Sequence, residues 1–486
     1  MSALLVAGTT SDAGKTIVTT ALCRAFARRG IRVAPFKAQN MSNNSMVCAT
    51  ADGRGAEIGR AQWIQAVAAG AEPEAAMNPV LLKPGSDRRS HVVLMGQPYG
   101  ELDAASFAGE RKPLAEAAHA ADDDLRSRFD VVICEGAGSP TEINLREHDF
   151  VNMGLAQHGQ IPTIVVGDID RGGVFAAMYG TLKLMPAEDQ ALVKGFVINK
   201  FRGEESLLAP GLRMLSDATD RPVLGVVPWL PELWLDSEDA LDVAGRRVVD
   251  RVDEPVLRVA VVRFPRISNF TDIDALAVEP NVDVRFVDSP DAVVEADLVL
   301  LPGTRSTVAD LAWLRARGLE GPLVERHRGG QPTLGICGGF QMLGQHIADP
   351  SAVESNDGSV LGLGLLPLRT RFSEVKSLGR PVGRALGHEV SGYEIHHGQV
   401  TVSDGEPFLD GCRDGATWGT LWHGALESDG FRRAFLAEVA TDANRPDFVP
   451  RDDTVFSARR EQRLESLADA VERYLDTDAL TRILAG

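Results

Sequence analysis

Along the first ~240 residues, apolar side chains fall mostly in runs of about five to seven, separated by stretches with helical spacing. Runs at 3–7, 31–36, 129–134, 161–166, 195–198 and 223–227 predict strands. The spacing between them predicts a helix over 15–29, stopped by Gly30, and a second over 57–69, stopped by Gly70. Runs this short fit buried helices poorly. Strand alternating with helix predicts an α/β fold, a doubly wound, mostly parallel sheet with helices on both faces.

The rhythm breaks between Trp234 and Pro255, a polar stretch rich in Asp, Glu and Arg, and restarts with strand-like runs at 257–264, 282–287, 297–301 and 333–336. After ~365 the pattern turns β-rich and glycine-rich. Over 455–484, Leu464, Leu467, Val471, Tyr474 and Leu475 recur near helical spacing, which predicts a terminal helix that docks on a domain and carries no evident chemistry. The expected division is therefore 1–235, a linker at 236–255, a second domain at 256–445 and a tail at 446–486. A chain of 486 residues is long enough for two such domains.

Composition narrows the function classes. No apolar run reaches the ~18–20 residues of a membrane helix. The N-terminus has no basic flank ahead of its apolar run and reads as a first strand, not as a secretion signal. The five cysteines are scattered and form no CxxC pair, which points to reduced thiols in a cytoplasm and away from structural zinc. A net charge of −18 argues against a nucleic-acid partner.

Two segments carry chemistry. Gly8-Thr9-Thr10-Ser11-Asp12-Ala13-Gly14-Lys15-Thr16 lies between the first strand and the first helix. The amides of such a loop suit a polyphosphate, with Lys15 reaching the β- and γ-phosphates and Thr16 holding Mg²⁺. Thr10, Ser11, Asp12, Ala13 and Gly14 are the candidate cradle. Five residues separate Gly8 from Gly14, one more than in the standard loop. Glu135 ends a neighbouring strand, where a magnesium ligand or water-positioning acid belongs. Asp52 is a second metal candidate. Asn199 ends another strand, in a position suited to reading adenine.

The sharper segment is Gly335-Ile336-Cys337-Gly338-Gly339, set between a strand and a helix. It is the cysteine form of a nucleophile elbow. The helix start behind Cys337 stabilises negative charge on sulfur, and the Gly338 N–H is placed to receive an oxyanion. Gly303, after the run 297–301, is the natural second donor. The base is expected to be a distant histidine. His388, His396, His397 and His423 are candidates; His423, at the end of a short strand, fits best. The segment holding His396 and His397 reads as structural or interface-forming. Two residues beyond His423 stands Ala425, which cannot serve as an acid partner. Glu427, four beyond, is the candidate third member, with a dyad as the alternative.

Together with the stretches 36–45, 167–175, 198–203 and 392–398, these residues resemble the cobyrinate-amidating family of glutamine amidotransferases, in particular its cobyric acid synthases. The resemblance covers nearly the whole chain. It implies an N-terminal P-loop sheet of the dethiobiotin synthetase type and a C-terminal triad-type, flavodoxin-like amidotransferase domain. It also implies ATP- and glutamine-dependent amidation of the b, d, e and g carboxylates of adenosylcobyrinic acid a,c-diamide, giving adenosylcobyric acid in adenosylcobalamin biosynthesis. Lys37, Gln39, Asn40, Ser42, Asn43, Asn44, Asp170 and Arg171 become candidate substrate contacts, and the corrinoid is a substrate, not a resident cofactor. The uncharged amides and hydroxyls of 39–45 can hydrogen-bond a carboxylate or a carboxamide alike. Three readings compete: a cobyrinate a,c-diamide synthase, a ligase amidating cell-wall lipid precursors, and a regulatory P-loop ATPase with a vestigial glutaminase domain. Homo-oligomerisation stays open.

Overall fold

The structure of the chain, a computed structural model, describes residues 2–50, 53–84, 89–103, 111–230 and 255–486. The expected linker lies outside these residues except for Pro255, and Asp52 also lies outside them.

The N-terminal half runs β1 (Ser2–Gly8), α1 (Lys15–Arg28), β2 (Val33–Phe36), β3 (Gln39–Met41), β4 (Ser45–Ala49), β5 (Gly55–Gly59), α2 (Arg60–Ala69), β6 (Val80–Pro84), β7 (Arg89–Leu94) and β8 (Gln97–Asp103). It continues with α3 (Arg111–Arg128), β9 (Val131–Glu135), α4 (Met153–Gly159), β10 (Thr163–Asp168), α5 (Val174–Leu184), α6 (Ala187–Leu192), β11 (Val193–Phe201), α7 (Ala209–Thr219) and β12 (Val223–Pro228). Among the described residues, the main sheet has the order β12-β11-β10-β1-β9-β2, with every pairing parallel. Its strands read as continuous apolar runs because both faces are covered. Leu4 and Val6 pack toward Val18, Leu22 and Phe26 of α1, whereas Leu5 and Ala7 join Phe36 and Val165 on the opposite face.

The sequence missed an insertion between β2 and α3. There β3, β6, β7 and β8 form a second sheet, and β4 pairs with β5. The expected helix over 57–69 begins only at Arg60, because residues 55–59 form a strand opposite Ser45–Ala49.

The C-terminal half runs β13 (Leu257–Val262), α8 (Asp274–Ala277), β14 (Val282–Val287), α9 (Pro290–Glu295), β15 (Leu298–Leu301), α10 (Thr307–Ala316), α11 (Glu320–Arg328), β16 (Thr333–Ile336), α12 (Gly338–Leu343), β17 (His346–Ala348) and β18 (Ser359–Leu361). Then come β19 (Leu368–Gly379), β20 (Val382–Ala385), β21 (His388–Ser391), β22 (Glu394–Val402), β23 (Glu406–Phe408), β24 (Gly411–Asp414), β25 (Thr417–Thr420) and α13 (Asp429–Asp442). Its main sheet has the order β14-β13-β15-β16-β25-β24-β23, parallel as far as β25 and antiparallel beyond. Val259 and Val261 face one core and Ala260 and Val262 the other.

Two features tie the halves together. The antiparallel pair β19–β22 reaches the insertion, where Lys376 Nζ lies 2.5 Å from Glu57 Oε2 and Ile395 joins the N-terminal core. A Cβ on Gly55 would lie 2.7 Å from the carbonyl oxygen of Leu378, so the two backbones meet there. The tail is two helices, not one: α14 (Phe456–Tyr474) and α15 (Thr477–Ala485), broken where Asp476 caps the second through Ala479 N–H at 2.8 Å. Phe456 packs in the C-terminal core, yet Leu464, Leu467 and Val471 pack on α1, and Asp476 N–H donates to Leu224 O of β12 at 2.7 Å. Among the described residues, no helix is long and apolar enough to cross a membrane.

Candidate active sites

In the N-terminal half, the phosphate-type loop leaves the C-terminal end of β1, between β10 and β9. Helix α1 starts immediately after Gly14, whose φ of 99° favours glycine. A Cβ there would sit 1.9 Å from Asn199 Nδ2, so the close approach also excludes one. Lys15 Nζ donates to Thr10 O at 2.9 Å and Gly138 O at 3.0 Å. Thr16 Oγ1 donates to Glu135 Oε1 at 2.8 Å. Glu135 also receives Lys37 Nζ at 3.0 Å and Gln65 Nε2 at 2.6 Å.

Thr16 and Glu135 thus bring hard oxygen donors together at the loop, as a Mg²⁺ bound mainly by phosphates and water requires. No cluster of three or more His, Cys, Asp or Glu suited to a metal occurs among the described residues. Asn199 Nδ2 donates to Ala13 O at 3.0 Å, so this amide braces the loop.

The candidate substrate residues separate into two groups. Asp170 and Arg171 are exposed beside the phosphate loop: Arg171 pairs with Asp12 at 3.2 Å, and Asp170 pairs with Arg202 at 3.0 Å. Lys37 is buried on Glu135. The segment 39–45 lies on the insertion. Asn40 Nδ2 donates to Gln62 Oε1 at 2.9 Å, and Asn44 N–H to Ser42 Oγ at 3.0 Å. Gln39 Oε1, Asn43 Oδ1 and Gln62 Nε2 are buried without a hydrogen-bond partner among the described residues. Unsatisfied amide groups of this kind are costly unless a ligand completes them.

In the C-terminal half, Cys337 joins β16 to α12 with φ 51° and ψ −110°, a strained conformation for a non-glycine residue and the mark of an elbow. The flanking glycines are sterically required. A Cβ on Gly335 would lie 2.7 Å from Phe340 Cα, and one on Gly339 would lie 2.0 Å from Leu301 O. Gly339→Ala should therefore destabilise this half by about 3 kcal/mol and displace the elbow, read as an earlier thermal transition together with lost glutamine hydrolysis. Gly338 opens α12, and its N–H belongs to the free helix-start amides. Gly303 accepts from Ser268 N–H at 2.8 Å, and a Cβ on it would meet His423 Cε1 at 2.8 Å.

His423 follows β25 and is fully buried, and its Nδ1 lies 2.7 Å from Asp272 Oδ2. The other oxygen of Asp272 accepts from Gly424 N–H at 2.8 Å. The acid beside the histidine is therefore Asp272, from the 3-10 turn after β13, and not Glu427. Glu427 pairs instead with Arg60 at 3.2 Å and Arg460 at 3.0 Å, because its 3-10 turn points it across the seam between the halves. Burial alone would lower the pKa of His423, but Asp272 and then the Cys337 sulfur outweigh it and raise the imidazolium to about 10. Tyr393 stacks on the ring with centroids 5.2 Å apart. His396 and His397 point their Nδ1 atoms at the carbonyls of Gly398 and Ser373, at 2.9 and 3.0 Å, and burial lowers both pKa values.

Asp272 was missed because its partner is 151 residues away, so no local spacing reveals it. The available signal was an acid in the loop after the first strand of the second domain, at the same sheet edge as Cys337.

The two halves meet at a polar seam. Ser45 N–H donates to Asn269 Oδ1 at 2.9 Å, and Asn269 stands three residues before Asp272. Glu57, buried between Lys83 and Lys376, also accepts from Ser45 Oγ at 2.7 Å. Burial would raise this carboxyl, but Lys376 and Lys83 hold it well below the usual carboxylate range.

Comparison with known proteins agrees with this two-part layout. The family described as the CobQ/CobB/MinD/ParA nucleotide binding domain matches residues 4–243, and the CobB/CobQ-like glutamine amidotransferase domain matches residues 258–431. A cobyric acid synthase of Mycobacterium marinum is 61% identical over 481 residues, covering 99% of this chain and 96% of that protein. The one of Mycolicibacterium gilvum is 60% identical over the same shares. That of Mycobacterium tuberculosis is 61% identical over 487 aligned residues, 99% of this chain and 97% of the relative.

Proposed function

From the premise that the chain belongs to the cobyric acid synthase family, and so is an amidotransferase of cobalamin biosynthesis, we propose that it uses ATP and glutamine to amidate the b, d, e and g carboxylates of adenosylcobyrinic acid a,c-diamide, yielding adenosylcobyric acid. Cys337 attacks the side-chain amide carbon of glutamine. His423, oriented by Asp272, passes the thiol's proton to the departing amide nitrogen, which leaves as neutral ammonia, and the thioester is then hydrolysed by water that the same imidazole activates. The N–H groups of Gly303 and Gly338 receive the oxyanion.

A carboxylate does not react with ammonia unaided. In the N-terminal half, the γ-phosphoryl group of ATP passes to a corrin carboxylate oxygen, leaving ADP, and ammonia then displaces phosphate from the acyl phosphate. Lys15 neutralises the phosphates. A magnesium ion held by Thr16 and Glu135 would neutralise further charge on the transferring group when bound. The uncharged segment 39–45 receives the carboxylate or amide side chain. Asp170 and Arg171 are assigned to the rim of the phosphate site.

The observation that carries this reading is the Ser45–Asn269 contact at 2.9 Å, which sets the acceptor segment against the loop of Asp272. It supports a short sheltered route for ammonia, which in open water is mostly protonated and unreactive. The test offers purified protein either cobyrinic acid or its a,c-diamide with ATP and glutamine, and follows added amides by mass. Amidation of the a,c-diamide at the b, d, e and g positions is expected. Amidation of cobyrinic acid at a and c alone would assign the chain to the earlier step, and glutamine-dependent ATP turnover without a corrinoid would indicate a regulatory ATPase.

A further inference from the structure

The loop that carries Gly303 continues through Arg305 into α10, which begins at Thr307. Glu354, from the segment between β17 and β18, reaches back to that helix start. Its Oε2 accepts from Thr307 Oγ1 and its Oε1 from Val308 N–H, both at 3.3 Å. Thr307 Oγ1 lies 3.4 Å from Gln341 Oε1 and 3.3 Å from the place a Cβ on Gly338 would occupy. A carboxylate therefore stands one side chain away from the residue that follows the nucleophile.

Arg305 is half-buried near it and forms no ion pair among the described residues. The two charges attract, yet they are not joined in an ion pair. Burial pushes the Glu354 carboxyl up to about 7, and Arg305 with the Thr307 and Val308 bonds only partly offsets it. A cation brought against Glu354 would restore its charge.

The donor's shape fits this spacing. When the side-chain carbonyl of glutamine touches Cys337 Sγ, its α-carbon lies three bonds away, and the α-ammonium and α-carboxylate sit about 4–5 Å beyond the reacting carbon. Adjacent opposite charges on the ligand call for adjacent opposite charges on the wall.

We propose that Glu354 and Arg305 read the zwitterionic end of glutamine: Glu354, held on the start of α10, takes the α-ammonium group, and Arg305 takes the α-carboxylate. The assignment rests on the reading of Cys337 as the glutaminase nucleophile. It makes the two side chains specificity residues, remote from the bond that breaks, and explains why a half-buried carboxylate stands where the reaction itself needs none.

The test compares glutamine with glutaric acid monoamide (glutaramic acid), which has the same side-chain amide and carboxylate but lacks the α-amino group. The wild-type enzyme should prefer glutamine in kcat/KM by at least ~10²-fold. Glu354→Gln should shrink that preference at least tenfold, mainly through a higher KM for glutamine. Arg305→Gln should do the same for glutamine against its α-carboxamide. These ratios do not depend on the fraction of enzyme that is folded. An unchanged donor ratio in Glu354→Gln, with both donors slowed equally, would make Glu354 only a cap of α10 and overturn the proposal. If Cys337→Ser still consumes glutamine, the glutaminase reading itself fails, a distinct result.

Discussion

Asp272→Asn lowers glutamine-dependent amidation by roughly 10³–10⁴-fold, the scale on which a triad carboxylate acts. The buried acid fixes His423 by accepting from Nδ1 at 2.7 Å, which leaves Nε2 for the sulfur, and it balances the charge of the imidazolium. Asparagine keeps the shape and supplies a neutral amide, so the ring loses both its favoured tautomer and its counter-charge. Glutamate release under saturating glutamine measures the loss. Glu427→Gln provides the contrast. Glu427 touches Arg60 and Arg460, not the imidazole, so its removal should weaken the seam and leave the chemical step within about tenfold of wild type. A Glu427→Gln defect as deep as that of Asp272→Asn would refute the assignment.

The second large effect separates the two half-reactions. Cys337→Ser should abolish glutamine use, a fall of roughly 10⁴–10⁶-fold in kcat, while free ammonia still supports amidation at high pH. Lys15→Ala should remove amidation with either nitrogen source, because no carboxylate is activated. The paired result, read as amide formation by mass, follows from two sites joined only by ammonia. Loss of both nitrogen sources in Cys337→Ser would mean that the sites do not operate as separate modules.

The strands that place both sites were legible in the residue pattern because they are buried on two faces and read as apolar runs. β16 matches its expected run at 333–336, and Lys15 and Cys337 sit at the strand–helix junctions where their flanking glycines put them. What escaped was set by pairing. Gln39–Met41 and Gln97–Asp103 are polar strands, stabilised by neighbours in the insertion and not by an apolar run of their own. Gly55–Gly59 merges with the following helix in the residue pattern because Ile58, Ala61 and Ile64 recur every three residues and carry the helical spacing back into the strand. Apolar spacing in the tail continues through Leu475 as in one helix, while Asp476 stops it and caps the next. Asp272 and Asn269 act on groups 151 and 224 residues away, and only the fold brings such pairs together.

The tail has a mechanical corollary. The chain crosses from the phosphate-binding half to the amidotransferase half after β12, and α14 returns it: Phe456 sits in the second core, while Leu475 and Asp476 lie along β12. Arg24 and Arg28 of α1 ion-pair with Glu461, Glu465 and Asp469 along this return. The helix that springs from the phosphate loop is therefore latched, on its outer face, to a rod rooted in the other half of the chain.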